Sequence, residues 1–121
     1  GQMGRKHSVP YGLYESHIYI SPFLASDTGF RNIDLIALLE SLVHLFDHDR
    51  SASRGEMTAR EVIVFEHELA LGNAPAHKVL ETVKVKKSNG DKPTRQYGDY
   101  LVEAPENGTE AVPGVTCYRL I

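Results

Sequence analysis

A chain of 121 residues, of which 41% are hydrophobic, is long enough for one modest core and too short for two. Its formal net charge of -3 excludes a protein that is basic throughout, so any nucleic-acid surface must be a local stripe on an acidic body. No run approaches the ~20 consecutive apolar residues of a membrane span. No signal pattern opens the chain, and the single cysteine fits a reducing compartment, so we expect a soluble, cytoplasmic protein with no membrane partner.

The first predicted element is an extended leader, residues 3–14, that feeds into a strand. It holds three potential cations and a ring side chain, namely Arg5, Lys6, His7 and Tyr11. Cationic side chains bind phosphates, and flat rings stack on bases. The leader therefore predicts a contact with single-stranded nucleic acid, although a solvated chain end explains a few basic residues equally well.

A strand and a long helix are predicted next. Residues 14–21 alternate in polarity, which is typical of a strand with one wet face, and Pro22 ends the pattern. After a loop, a helix of roughly four turns is predicted to begin at an N-cap, Asn32, and to end near Phe46. Its apolar stripe is wider than a surface helix needs, so we expect it to lie flat on a sheet.

The polar connection over residues 47–57 contains two loop cations, Arg50 and Arg54, beside serines and a glycine. Both are candidates for ligand contact, with surface solvation as the equal alternative. His48 between two aspartates superficially resembles the metal ligands of phosphohydrolases. The remaining histidines do not form pairs that would converge on one ion, so the sequence predicts no metal site.

A second strand is predicted over residues 61–68, with an apolar centre typical of a strand inside a sheet. Asn73 is then predicted to cap a short helix that Pro75 opens. His77 and Lys78 lie at this helix start, where free amides favour an anion. Asn73, His77 and Lys78 are therefore candidate binding residues, and a plain capped turn is the alternative interpretation.

The last third of the chain predicts a hairpin and a tail. Residues 83–87 alternate in polarity, and the turn signal at residues 88–91 predicts a return strand towards residues 95–97. Residues 115–121 are predicted as an edge strand. The elements together predict an α+β fold in a single domain, residues 1–121, with an antiparallel sheet and one long packed helix. Its sheet edge stays open, which predicts a partner or a further segment.

Catalytic apparatus is not visible in the sequence. There is no nucleophile elbow and no phosphate-binding loop, and Cys117 is the only cysteine. We therefore predict no enzymatic activity and no cofactor.

Three segments carry a resemblance to a known family. They are MGRKHSVPYGLY at residues 3–14, HDRSASRGEM at residues 48–57, and the stretch from VFEH at residues 64–67 to LGNAPAHK at residues 71–78. In order and spacing they closely resemble the backbone subunit of the type I-C CRISPR interference complex. That subunit is a guide-RNA-binding protein of the Cas7 family, in its Csd2 form. The resemblance fades after about Arg95.

The resemblance implies a non-catalytic scaffold that polymerises along the CRISPR RNA and presents its bases to target DNA. Its implied partners are the CRISPR RNA, copies of itself, other subunits of the Cascade complex and, through the guide, target DNA. The strand, helix and second strand would be the second half of an RNA-recognition-motif-like (ferredoxin-like) palm. On this basis the chain is expected to be the C-terminal portion of a longer protein.

The resemblance also bears on individual residues. It implies RNA contact for Arg5, Lys6 and His7. Family motif positions that contact either RNA or a neighbouring subunit are matched by Arg50, Arg54, Asn73, His77 and Lys78.

Two other functions remain open. The chain is alternatively a metal-independent endoribonuclease that processes CRISPR precursor RNA, with His7 or His77 as general base and a nearby lysine that steadies the pentacoordinate phosphate. The third hypothesis is a protein-interaction module that works through the open strand edge without nucleic acid.

Overall fold

The computed structural model describes residues 11–44 and 57–121. The described chain contains three α-helices and five antiparallel strands, which confirms the predicted α+β class. In chain order the elements are α1 (Pro22–Thr28), α2 (Asn32–Val43), β1 (Ile63–His67), α3 (Ala76–Leu80), β2 (Lys84–Lys87), a 3-10 turn (Tyr97–Asp99), β3 (Tyr100–Glu103), β4 (Glu110–Val112) and β5 (Val115–Arg119). The arrangement is compatible with part of an RNA-recognition-motif-like palm.

The larger sheet has the strand order β1-β5-β4, with both pairs antiparallel. The register sets Phe65 opposite Cys117 and His67 opposite Val115. Val115 and Cys117 are 0% exposed, so the core lies along β5. The tail was predicted as an edge strand, and that prediction is wrong. The tight turn at Gly114, which has a φ of +79°, folds β5 back on β4 and inserts it beside β1.

The smaller sheet is the hairpin β2-β3, whose register pairs Lys84 with Glu103 and Lys87 with Tyr100. The predicted hairpin is confirmed, but its return strand begins at residue 100 instead of residue 95. The return strand begins later because residues 95–99 form a polar loop, in which the Asp99 carboxylate accepts the backbone N–H of Arg95 at 2.9 Å. The carbonyl of Asp99 accepts the N–H of Ser88 at 2.8 Å and so closes the loop.

The strand predicted over residues 14–21 is absent, since residues 11–21 have no regular secondary structure. Tyr14 is 78% exposed and Tyr19 68% exposed. Alternating polarity predicts a strand only where a second strand supplies hydrogen bonds, and none of the described strands pairs with this segment. Pro22 begins helix α1, because proline fits the first helical position, where no N–H partner is needed.

The long helix is present as α2, and its predicted end near Phe46 lies outside the described residues. Its N-cap is Arg31, not Asn32, since the Asp34 carboxylate accepts the N–H of Arg31 at 2.8 Å. None of its residues is fully buried. Ile36, Leu39 and Val43 line a shallow groove together with Leu120, the residue that follows β5. Ile33 and Ile36 are 65% and 57% exposed, so the predicted flat packing on a sheet is not seen among the described residues.

Helix α3 has five residues and lies against β4, and its Val79 is buried. Among the described residues, no helix has the length and hydropathy that a transmembrane span requires.

Because Val115 is wholly buried on the central strand, Val115→Ala is expected to lower the free energy of unfolding by about 1–3 kcal/mol. Val85→Ala is the matched control, since Val85 lies in a strand and is 41% exposed. Chemical denaturation of both variants measures the difference. Equal losses would contradict a core centred on β5.

Candidate nucleic-acid interface

The predicted binding residues divide into two groups. Five of them lie outside the described residues, namely Arg5, Lys6, His7, Arg50 and Arg54. The other four, Tyr11, Asn73, His77 and Lys78, are described. Their positions as contacts for RNA remain predictions, and their local geometry shows what each is able to do.

Tyr11 is half-buried and lies against the hairpin. Its ring centroid is 6.2 Å from that of Tyr100, with the planes tilted by 34°. The Tyr100 hydroxyl is 2.8 Å from Oγ1 of Thr94, which holds the second ring in place. Tyr11, near the end of the leader, therefore lies beside Tyr100 of β3. In the hairpin register, Tyr100 is paired with Lys87 of β2.

Asn73 supports a turn and does not cap α3, whose N-cap is Pro75. Its side-chain oxygen accepts the N–H of Leu69 at 2.8 Å. Its own N–H donates to Nδ1 of His67 at 2.9 Å, so the neutral His67 ring carries its proton on Nε2. The predicted capping role is wrong, because these bonds direct the side chain back into the turn over residues 69–73.

His77 and Lys78 are both exposed on α3. Among the described residues, no hydrogen bond, ion pair or ring contact joins either side chain to Tyr11. Both side chains are open to a ligand.

The hairpin also presents cations that the sequence reasoning assigned no function. Lys84, Lys86 and Lys87 are exposed on β2, and Arg95 is exposed in the loop before β3. The alternation over residues 83–87 was a visible signal, but it was interpreted only as a strand pattern.

A polar cluster joins one end of the β1-β5 pair to the 3-10 turn before β3. The Glu61 carboxylate accepts hydrogen bonds from the Arg119 guanidinium and from the Tyr97 hydroxyl. The guanidinium carbon of Arg60 lies 4.4 Å from the centroid of the Tyr97 ring. We assign this cluster a structural role, because the Glu61 carboxylate accepts hydrogen bonds from both the Arg119 guanidinium and the Tyr97 hydroxyl.

Two observations concern other chemistry. Burial raises the pKa of the Cys117 thiol, an effect that the Arg119 charge partly opposes, so the thiol stays protonated at neutral pH. Within residues 11–44 and 57–121, no three metal-binding side chains converge on one point.

The sequence matches the family model described as CRISPR-associated protein Cas7 over residues 1–105. Since the match covers most of the 121 residues, the chain belongs to the Cas7 family. This family supplies the multi-copy, crRNA-binding backbone subunits of CRISPR effector complexes. No curated protein matches the chain.

The polar cluster predicts a loss of stability at alkaline pH. Burial, the hydrogen bond to Glu61 and the Glu61 charge raise the pKa of Tyr97 to about 12 from its ordinary 10.0, against the opposing charges of Arg60 and Arg119. The folded chain therefore keeps a proton that the unfolded chain releases. The stabilisation is complete below pH 10 and is lost as the pH rises towards about 12.

Tyr97→Phe is expected to remove this part of the pH dependence. Denaturation of both proteins across the alkaline range measures it, because every other titrating group is common to the two. Parallel stability curves would show that Tyr97 keeps its ordinary pKa.

The position of Asn73 predicts that replacing Gly114 with a larger residue destabilises the fold. A Cβ at residue 114 would overlap the Asn73 side chain, whereas a Cβ at Gly108 would meet nothing within 4 Å. The φ angles are +79° and +81°, so the two glycines carry the same backbone strain on substitution. Gly114→Ala is expected to destabilise the protein by about 1–3 kcal/mol more than Gly108→Ala in chemical denaturation. Equal losses would contradict the contact.

Proposed function

We propose that the chain is an RNA-binding scaffold subunit of a type I-C CRISPR interference complex and has no catalytic role. The observation that carries the proposal is the Cas7 family match over residues 1–105. The type I-C assignment is supported by the three sequence segments at residues 3–14, 48–57 and 64–78.

Recognition by such a subunit is expected to depend on phosphate and shape, with base identity left to pairing between guide and target. The acidic net charge of the chain suits this mode, because a few local cations bind the RNA backbone while the rest of the surface does not. Copies of the same chain, other Cascade subunits and target DNA paired to the guide are the proposed further partners.

The leader is the principal proposed contact. Arg5 precedes Tyr11 by six residues, which span at most about 22 Å of extended chain. Tyr11, at the described end of this stretch, lies beside Tyr100 of the hairpin, with the two ring centroids 6.2 Å apart. The remaining proposed contacts, to RNA or to a neighbouring subunit, are Arg50, Arg54, His77 and Lys78. Asn73 is assigned a supporting role in the turn that precedes α3.

The double variant Arg5→Ala with Lys6→Ala is expected to weaken binding of the full chain to a guide RNA. Loss of two phosphate contacts would reduce the slope of log K against log salt by roughly 1.4. Fluorescence anisotropy over a salt series measures both quantities.

Arg31→Ala removes one exposed positive charge and is the control for the single variants Arg5→Ala and Lys6→Ala. It is expected to leave the slope of log K against log salt unchanged. Unaltered affinity and slope in the double variant would reject the leader contact. The same incubations, repeated with precursor RNA and without metal, report cleavage. Cleavage that is lost on His77→Ala or His7→Ala would overturn the non-catalytic proposal in favour of an endoribonuclease.

A further inference from the structure

We infer that one face of the β2-β3 hairpin is a nucleotide-binding surface, in which Lys87 and Arg95 bind phosphate and the Tyr11–Tyr100 ring pair stacks with a base of single-stranded RNA. We call this set of residues the ring face. The inference rests on the proposed function and deepens it by assigning Lys87, Arg95 and Tyr100, which lie outside the three segments that carry the family resemblance.

The hairpin is a cationic region in an acidic chain. Residues 84–103 contain five lysine and arginine residues against three acidic ones, whereas the whole chain contains 13 against 16. A local excess of this kind attracts a polyanion even though the whole molecule does not.

The two faces of the hairpin differ in charge. Residues directly opposite each other in antiparallel strands share a face, so Lys84 and Glu103 lie on one side and Lys87 and Tyr100 on the other. On the first side the Glu103 carboxylate also lies 3.6 Å from Nζ of Lys86, and its negative charge opposes the positive charge of that lysine. Within residues 11–44 and 57–121, Lys87 has no carboxylate at ion-pair distance. The first side therefore carries a carboxylate between its two lysines, whereas no described carboxylate lies at ion-pair distance from Lys87 on the ring face.

A second cation lies at the hydroxyl end of the Tyr100 ring. Thr94 connects them, because its Oγ1 is 2.8 Å from the Tyr100 hydroxyl and its carbonyl accepts from Nη1 of Arg95 at 3.3 Å. The Asp99 carboxylate is turned into the loop, where it accepts the backbone N–H of Arg95. The exposed guanidinium of Arg95 therefore remains open to a phosphate.

The rings supply what a purely ionic surface lacks. Tyr11 and Tyr100 are each half-buried, and their ring centroids lie 6.2 Å apart. Base–aromatic stacking tolerates any sequence, which suits a protein that leaves sequence to pairing. Rings flanked by cations favour a single-stranded nucleic acid over an acidic peptide, because a peptide would use the cations alone.

The test measures binding of a fluorescent oligouridylate to the full chain over a salt series. Lys87→Gln is expected to raise Kd by roughly two- to fivefold and to reduce the salt slope by about 0.7. Lys84→Gln is the matched control, with the same strand, exposure and charge on the opposite face, and is expected to change neither quantity. Lys87→Arg is expected to restore binding.

The rings give an independent signature. Tyr11→Leu is expected to raise Kd about fivefold or more with an unchanged salt slope, because stacking releases no counterions, and Tyr11→Phe is expected to bind normally. Matching thermal unfolding midpoints for all variants exclude a loss of folding as the cause.

The outcomes separate the two proposals. If the unaltered chain binds neither oligouridylate nor guide RNA, the proposed function fails. If it binds and Lys87→Gln equals Lys84→Gln, the ring face is rejected while the proposed function stands. Polyglutamate that competes as well as RNA, together with normal binding by Tyr11→Leu, would identify an acidic-peptide surface and overturn the inference.

Discussion

The insertion of β5 between β1 and β4 is the interaction on which the rest of the described structure depends. It removes Val115 and Cys117 wholly from water, and burial of such side chains contributes about 1.5–3 kcal/mol each. Backbone hydrogen bonds continue the pairing past both ends of β1, from Leu120 to Val62 and from Glu68 to Gly114. The polar cluster around Glu61 then secures the same strand pair at its outer end.

Much of the fold was predictable where the signal is local. The 3.6-residue period gave α2, the apolar run gave β1, and the turn residues gave the β2-β3 hairpin. What failed depends on distant residues. The alternation at residues 14–21 needs a second strand to become a sheet, and β5 pairs with residues about 50 positions earlier in the chain. No period within a short window reports such pairing.

The candidate interface was predictable in part. Sequence reasoning selected Tyr11 for its ring, and the structure adds the neighbour that positions it, Tyr100, which lies 89 residues further along the chain. Asn73 was predicted to cap α3, but its side-chain oxygen instead accepts the N–H of Leu69 in the preceding turn. The sequence does not distinguish the two, because a side-chain amide uses the same atoms to cap a helix and to close a turn. The hairpin lysines were visible as a strand pattern, and only the register shows which of them face a carboxylate.

The boundary of the family match has a practical consequence for anyone who would shorten this protein. The match ends at residue 105, and both β4 and β5 lie beyond it. A polypeptide trimmed to the shared region would lose two of the three strands of its larger sheet, and β1 would have no partner among the described strands. Such a product would expose unpaired backbone N–H and C=O groups along β1, and an exposed strand edge of this kind promotes aggregation. The sixteen residues after the family match thus contain both fully buried side chains of the larger sheet, Val115 and Cys117.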